Sequence, residues 1–536
     1  MPQLTLAVAQ LNFWVGDIEG NAKRVADAAA QARDGLGADI VVFPELCLIG
    51  YPPDDLLLRT ALPAAIEAGV QRLLREVRGI TLVIGLPEFT PEGLYNAALV
   101  IRDATVLARC RKQLLPNYGV FDEQRHFLPG SGPTVFELNG VRLGLCICED
   151  IWGPAPAAAA KAAGADLLLN INASPFDLHK RAQRRKVFAA RTRETDLPII
   201  YVNCVGGQDD LVFDGDSSAV DREGREVFHA PVFVEGIYPL TYDHGQLSGA
   251  ITAAESEDAV IYQALVRATR DYVDRNGFPG VLIGMSGGID SALVGALAAD
   301  ALGAKRVWGV SLPSRYTADM SNDDARIEAQ NLGIRYAVLP IEPAFAVVCD
   351  TLAETFAGRE PDVTEENMQS RLRGLLLMSL SNKFGHLVLA TGNKSEMAVG
   401  YATLYGDMCG GFAPIKDVYK TRVYQLASYR NRISAVIPER VLTRPPSAEL
   451  RPDQADSDSL PPYDVLDPIL EAYVEDSLSI SEIVAMGYPE TSVRQTAALV
   501  RQAEYKRRQA PPGPKVTRRA FGRERRYPLT AVYGDL

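Results

Sequence analysis

Residues 281–291 read VLIGMSGGIDS, an apolar run that breaks into a glycine pair flanked by serines and then enters an Ala-rich helix. The run reads as a buried strand, and the glycines let the backbone that follows turn its N–H groups towards a ligand. A helix N-terminus behind the turn favours anions, and Ser286 and Ser291 add hydroxyl donors. The segment is therefore a phosphate cradle made by Gly284, Met285, Ser286, Gly287, Gly288, Ile289, Asp290 and Ser291. It lacks the Lys of a GxxxxGK[ST] loop, so it is not built like a kinase or GTPase site. Asp290 would repel a bare phosphate, which implies a bridging Mg²⁺.

The chain divides into two blocks around this feature. At 536 residues it exceeds one core, and length alone suggests about three or four domains. Residues 1–245 alternate short strands and helices, from TLAVAQLNF through DIVVFPE and ITLVIGLPE to VRLGLCICED, ADLLLNINAS and LPIIYVNCVG. Residues 246–260 are small and polar without periodicity, and read as a linker. Residues 261–536 open with a helix carrying Ile261, Leu265, Ala268 and Tyr272 on one stripe. Strands and helices then alternate in a doubly wound parallel pattern, with the cradle at a strand's C-terminal end. Residues 444–463 are rich in Pro and Asp and read as a mobile flap or connector. The tail from Arg501 to Tyr527 carries ten Lys/Arg against two acids.

Bulk properties exclude several classes. A net charge of −12 argues against a dedicated nucleic-acid binder, which needs a cationic surface. No run approaches the length of a membrane span, and MPQLTLAVAQ lacks the plan of a signal peptide. The seven Cys are scattered and odd in number, with no spacing for a zinc ribbon, which fits a reduced cytoplasmic protein. Only five His are present, so catalytic groups are expected among Glu, Lys and Cys.

Three positions in the first block stand out. Glu45 ends an apolar strand at a proline, Lys112 lies where a strand-like stretch meets a loop, and Cys148 closes VRLGLCICEDIW. Strand parity puts Val141, Leu143, Leu145 and Ile147 on one face and Cys146 and Cys148 on the other. A cysteine attacks as thiolate, so it needs a base for its proton and a cation for the developing oxyanion. Singly, each residue is ordinary: a strand-end Glu is usually solvated and a Cys usually buried filler. Cys47, Cys110, Cys146 and Cys204 take that structural reading.

FPELCLIGY, RKQLLPNYGVFDE and CICEDIW, in this order, resemble the three catalytic segments of the nitrilase superfamily. The resemblance implies a four-layer α-β-β-α sandwich, with Glu45 as general base, Lys112 supporting the tetrahedral intermediate and Cys148 as nucleophile. The branch that hydrolyses glutamine holds the substrate's amino-acid end at positions such as Tyr118, Ser174 and Lys180. Lys180 equally suits the basic face HKRAQRRK of a surface helix.

The Ser-Gly-Gly loop resembles that of ATP-dependent amide ligases that cleave ATP between the α and β phosphates. Paired with an amidase, it implies an enzyme that makes ammonia and delivers it, along a sheltered path, to an adenylated carboxylate. Asparagine-synthetase-type glutaminases need an N-terminal Cys, whereas residue 2 is Pro. GMP and CTP synthetases resemble each other in carrying a Cys-His-Glu amidotransferase, and sulfur-inserting tRNA enzymes would want a cationic surface. EENMQSRLRGLLLMSLSN, LATGNKSEMAVGYATLYGDMCGGFAPIKDVYKTRV and EYKRRQAPPGPKVTRRAFGRERRYP are similar to signatures of the glutamine-hydrolysing NAD synthetase family. That resemblance implies that Asn367, Arg371, Glu396 and Lys506 serve deamido-NAD, and that Thr391 and Lys420 serve ATP. It also implies Asp290 and Glu396 in a Mg²⁺ shell, glutamine, ATP and deamido-NAD as the small-molecule substrates, and a homo-oligomer. Many relatives carry a second Ser after Ser291, where this chain has Ala292, so Ser286 and Ser291 carry the cradle. The alternatives are a ligase of the same architecture acting on another carboxylate, and a binding protein that keeps both folds without turnover.

Overall fold

The computed structural model describes residues 3–531 apart from 453, 455 and 459. It divides into two compact units, residues 1–208 with 212–255, and residues 209–211 with 256–536.

The first unit contains two large sheets. One runs edge to edge through Gln246–Gly249, Gly236–Asp243, Gln3–Gln10, Ile40–Val42, Thr81–Thr90, Gly93–Arg102 and Thr105–Arg111. The other runs through Glu226–His229, Ser218–Val220, Ile199–Asn203, Leu167–Asn172, Val141–Ile147 and Thr134–Leu138. Side-chain alternation sorts each strand into two cores. Leu4, Leu6 and Val8 pack with Leu143, Leu145 and Ile147 between the sheets. Ala7 and Ala9 face outward to Ala22, Val25 and Ala29 of the helix Ile18–Leu36. Cys146, Leu168 and Tyr201 face Ala157, Ala160 and Phe188 of the helices Pro154–Ala162 and Lys180–Thr195. The result is the expected α-β-β-α sandwich. Each fully buried Leu or Val in the middle layer contributes about 1.5–3 kcal/mol.

The stretch 246–260, read as a linker, holds the boundary between the units at 255/256 and carries secondary structure: Gln246–Gly249 pairs antiparallel with Gly236–Asp243. The turn between them places His244 at φ 51° and Gly245 at φ 83°, the twin positive angles of a tight hairpin. The helix Glu257–Arg275 begins within the same stretch, capped by Ser256, whose Oγ accepts from the Ala259 N–H at 3.3 Å. Strand parity also fails at Cys148. The strand stops at Ile147, and Cys148 adopts φ 47°, so its side chain joins the inter-sheet cluster rather than the helix-facing side with Cys146.

The second unit is built on a four-stranded sheet ordered Arg335–Val338, Val307–Ser311, Val281–Gly284, Leu387–Leu389. Every pairing is parallel. The chain therefore moves outward from Val281–Gly284 over two strands and then crosses back to its other side. That reversal is a topological switch point, where the loops after two neighbouring strands diverge and leave a crevice. One of those loops is the Ser-Gly-Gly segment; the other carries Thr391. The helix Ile289–Leu302 is buried nearly all round, which explains its run of small apolar residues.

The basic C-terminal tail is not a solvated fringe. Arg507 and Arg525 are buried and both donate to Glu504 Oε2, at 2.7 and 2.5 Å. Of the Pro- and Asp-rich segment 444–463, positions 453, 455 and 459 lie outside the described residues. Arg444, Glu449 and Leu450 line the second unit's cavity.

Candidate active sites

In the first unit, strand ends from both sheets converge. Glu45 follows Ile40–Val42 and its N–H donates to the Asn172 carbonyl at 3.3 Å. Lys112 follows Thr105–Arg111 and its N–H donates to the Asn96 carbonyl at 2.8 Å. Both side chains are fully buried, and Lys112 Nζ donates to Glu45 Oε1 at 2.7 Å. Asn96 Nδ2 donates to the same oxygen at 2.7 Å, while Oε2 accepts only the Ala173 N–H, at 2.9 Å, among the contacts described.

Cys148 sits at the elbow between the strand Val141–Ile147 and the short turn Cys148–Ile151. A left-handed φ in a non-glycine residue costs about 1–3 kcal/mol and persists only where its surroundings fix it. Asp150 supplies that fixation. Its Oδ2 accepts the Ile147 N–H at 3.0 Å, and its Oδ1 accepts the N–H groups of Gln113 and Leu114, both at 2.9 Å. One carboxylate thus ties the cysteine elbow to the segment leaving Lys112.

The electrostatics follow from burial. Burial pushes the Cys148 thiol well above its ordinary value, the Glu45 charge adds to this, and Lys112 opposes it. Burial alone would lower Lys112, but Glu123, Glu45 and Cys148 outweigh it and hold the ammonium well above its usual range. Glu123 is a second carboxylate that sequence reasoning passed over, although it ends the segment PNYGVFDE. Its Oε1 accepts from Lys112 Nζ at 2.8 Å and from Tyr51 Oη at 3.0 Å. Burial, opposed by Lys112, raises it to about 7. Asn96, on the neighbouring strand, gave no signal in the sequence.

The three residues expected at the substrate's amino-acid end are placed differently from one another. Tyr118 is more than half exposed, and its Oη donates to Glu149 Oε1 at 2.8 Å. Lys180 Nζ lies 4.4 Å from the centre of the Trp152 ring, so the elbow segment and the following helix start present a carboxylate and an ammonium. Ser174 is buried, with its N–H donated to Asn203 Oδ1 at 2.9 Å and its hydroxyl oxygen accepting from Arg184 Nη2 at 3.2 Å.

In the second unit a cavity of about 280 Å³ opens at the switch point. Every residue from Gly284 to Ser291 lines it, with Thr391, Glu396 and Lys420. Gly287 has φ 79°, and a Cβ there would lie 2.2 Å from the Ser321 carbonyl oxygen, so only glycine fits. Ser291 Oγ accepts the Ser286 N–H at 3.2 Å and donates to the Gly288 carbonyl at 3.0 Å, which sets the curvature of the loop. Met285 and Ile289 are buried anchors beneath it.

Beside the loop, Lys420 Nζ donates to Asp290 Oδ2 and lies 3.3 Å from Glu396 Oε1. Asn393 Nδ2 donates to Asp290 Oδ1 at 2.9 Å. Burial, opposed by Lys420 and reinforced by Asp290, raises Glu396 to about 8. Asp456 adds a third acid facing the same ammonium. No group of three or more metal-ligating side chains converges among the described residues. The donor set nevertheless fits a hard cation: two carboxylates share one ammonium, and Mg²⁺ commonly takes one or two carboxylates, with water and phosphate oxygens completing the shell.

Asn367, Arg371 and Lys506 are not in the cavity lining but gather on the neighbouring loop 400–404. Asn367 Oδ1 accepts from Thr403 Oγ1 at 2.7 Å, Arg371 Nε donates to the Leu404 carbonyl at 3.2 Å, and Lys506 Nζ donates to the carbonyls of Gly400 and Ala402 at 2.7 and 2.8 Å. Arg373, two residues on from Arg371 and not singled out by the sequence, does line the cavity, and burial lowers it to about 10.

The two folds define a two-part chain, a nitrilase-superfamily unit followed by a nucleotide-binding α/β unit. The carbon–nitrogen hydrolase family model matches residues 5–248 and the NAD synthase family model residues 261–510. The glutamine-dependent NAD(+) synthetase of Xanthomonas campestris pv. campestris (strain 8004) is 51% identical over 539 residues, spanning 99% of this chain and 98% of that protein. Its counterpart from Thermotoga maritima is 43% identical over 571 residues, with 99% of each chain covered. A solved glutamine-dependent NAD+ synthetase from Acinetobacter baumannii, in complex with ADP, superimposes with a TM-score of 0.81 at 45% identity over 98% of both chains. The chain belongs to the glutamine-dependent NAD(+) synthetase family.

Proposed function

We propose that this chain hydrolyses glutamine in its first unit and uses the ammonia in its second to convert deamido-NAD to NAD at the expense of ATP. The observation that carries the reading is one polypeptide holding both a buried Cys–Lys–carboxylate cluster and a glycine-rich cradle at a sheet's switch point.

Cys148 is a thiol at neutral pH, because burial disfavours its thiolate, so a base must act as it attacks. Glu45 Oε2 is suited to that role: its sister oxygen is saturated by Lys112 and Asn96, while it holds a single backbone donor. The sulfur attacks the carboxamide carbon, its proton passes to Glu45, and Lys112 stabilises the oxyanion. Collapse expels ammonia, which takes the proton from Glu45. Water then opens the thioester with Glu45 again as base, releasing glutamate. Glu149 and Lys180 offer opposite charges to the α-ammonium and α-carboxylate of glutamine, with Tyr118 and Ser174 beside them.

In the second unit the N-terminus of the helix Ile289–Leu302, beside the two serine hydroxyls, cradles the β and γ phosphates. Lys420 and Thr391 hold the triphosphate so that a pyridine carboxylate attacks the α phosphorus and pyrophosphate leaves. Asp290 and Glu396 would hold Mg²⁺, which supplies charge neutralisation across the phosphate oxygens when bound. Ammonia displaces AMP from the acyl-adenylate, giving the amide of NAD. Asn367, Arg371 and Lys506, grouped on loop 400–404, serve deamido-NAD in this scheme.

All seven cysteines are free thiols, and no helix among the described residues is long and apolar enough to cross a membrane. A reducing compartment, the cytoplasm, accords with the thiols, and the family implies a homo-oligomer, which light scattering would read. The test of function is an assay of NAD, AMP and pyrophosphate from deamido-NAD, ATP and glutamine. Equal yields of the three are expected. Pyrophosphate release with other carboxylates but not with deamido-NAD would transfer the assignment to a different amide ligase.

A further inference from the structure

The helix segment HKRAQRRK looks like a solvated basic face, yet one of its cations turns inward. Arg184 is 2% exposed. Its Nη1 donates to Asp214 Oδ2 at 2.7 Å and to Asp216 Oδ2 at 3.2 Å, and its Nη2 donates to Asp214 Oδ1 at 3.1 Å. The same Nη2 reaches the Ser174 carbonyl at 3.1 Å and the Ser174 hydroxyl oxygen at 3.2 Å. Asn203 grips Ser174 from the other side, accepting its N–H and donating to its carbonyl, while also donating to Asp214 at 3.1 Å. The preceding residue, Ala173, is the one whose N–H reaches Glu45 Oε2.

We propose that Arg184 is a positioning residue of the amidase site: its guanidinium fixes the backbone at Ala173–Ser174 and so aims the Ala173 N–H at Glu45 Oε2. Two acids and an arginine are a costly way to hold a loop, since desolvating buried charges offsets much of their attraction. A planar fork, however, gives what a hydrophobic contact cannot, namely a fixed direction for the carbonyl it holds. That direction matters because the base oxygen has a single backbone donor, so a small rotation of one peptide changes how strongly the carboxylate is solvated.

The groups facing Glu45 are Lys112, Glu123, Cys148 and the Tyr51 hydroxyl. Those facing Arg184 are Asp214, Asp216 and the Tyr201 ring. Beyond Asp216 lie Arg181 Nε at 3.4 Å and His229 Nε2 at 2.7 Å. None of the Arg184 partners touches Lys112 in the contacts described, although the Tyr201 hydroxyl that faces Arg184 also faces Cys148. Removing a hydrogen-bond donor from a carboxylate favours its protonated form. Loosening the Ala173 N–H should therefore move the acid limb of the hydrolysis profile to higher pH, besides slowing turnover.

The inference rests on the reading of Glu45 as base. The experiment uses the full-length chain, with glutamate release measured from pH 5 to 9 for wild type, Arg184→Lys, Arg184→Met and Glu45→Gln. Arg184→Lys keeps a buried cation for both aspartates but cannot span them and Ser174 together. It should lower kcat by roughly tenfold and move the acid limb to higher pH, with NAD synthesis from ammonium chloride unchanged. Arg184→Met should go further in the same direction. A profile for Arg184→Lys that overlays wild type after scaling, or a parallel fall in ammonia-dependent synthesis, would overturn the proposal. If Glu45→Gln keeps the wild-type limb, the base assignment itself has failed, and that result is distinct from an unmoved limb in the Arg184 variants.

Discussion

Replacing Lys112 by Met removes the one ammonium that two buried carboxylates share. Lys112 Nζ reaches Glu45 Oε1 at 2.7 Å and Glu123 Oε1 at 2.8 Å, and neither acid is more than 5% exposed. Breaking a buried pair in this way costs about 3–5 kcal/mol, because the surviving charge is left without a partner in a poorly solvated site. The first unit answers by protonating. With Lys112 gone, burial raises Glu123 unopposed from its value of about 7, and Glu45 loses its nearest cation. The base oxygen pair is then no longer held by the ammonium at 2.7 Å, and the oxyanion loses a donor whose removal typically costs 10²–10³ in kcat. The two effects act together, so glutamate release at pH 7.5 should fall by at least about a thousandfold. The assay is glutamate release beside NAD synthesis from ammonium chloride, on the same preparation. Synthesis from ammonia should stay within about twofold of wild type, since Lys112 is not among the residues that line the second unit's cavity. A Lys112→Met enzyme with more than a tenth of normal glutaminase, or one that loses both activities in step, would refute this account of the site.

Other perturbations test other parts. Asp290→Asn should suppress synthesis from glutamine and from ammonia alike, and should weaken Mn²⁺ binding read by electron paramagnetic resonance; normal turnover with ammonia would remove Asp290 from the phosphate site. Glu328 is buried with Oε1 unpartnered among the described residues, and burial, with the nearby Asp324, raises its carboxyl well above the usual range. The folded state thus binds its proton more tightly than the unfolded chain, so the protein loses stability as pH rises above about 4.5 towards the folded value. Glu328→Gln should therefore raise the second unit's melting temperature at pH 8 by several degrees more than at pH 5, and an equal shift at both would contradict the burial argument.

Much of this was legible in the sequence because chemistry and secondary structure coincide there. The cradle is one contiguous segment between a strand and a helix, so the local rules that make it a turn also carry the phosphate role proposed for it. Glu45, Lys112 and Cys148 lie far apart in the chain but each follows closely on the end of a strand, and strand ends are where two stacked sheets bring side chains together. What stayed hidden depends on direction rather than residue type. The backbone of Cys148 breaks strand parity through a single left-handed φ, which no alternation pattern encodes. Arg184 turns inward from a helix start rich in cations, and only its buried aspartates, some thirty residues later, reveal it. Arg371 and Arg373 are two residues apart on one helix, so which of them meets the cavity is set by helix rotation. The basic excess of the C-terminal tail conceals that Glu504, lying within it, pairs with both Arg507 and Arg525.

The central claim is that nitrogen released at Cys148 becomes the amide of the product. Incubating the enzyme with amide-¹⁵N glutamine, unlabelled ammonium, ATP and deamido-NAD, and reading the product by mass spectrometry, tests this directly. The account predicts ¹⁵N in the NAD carboxamide for wild type and only unlabelled NAD, still formed, for Cys148→Ala. Label in the Cys148→Ala product, or unlabelled NAD from the wild-type enzyme, would contradict it.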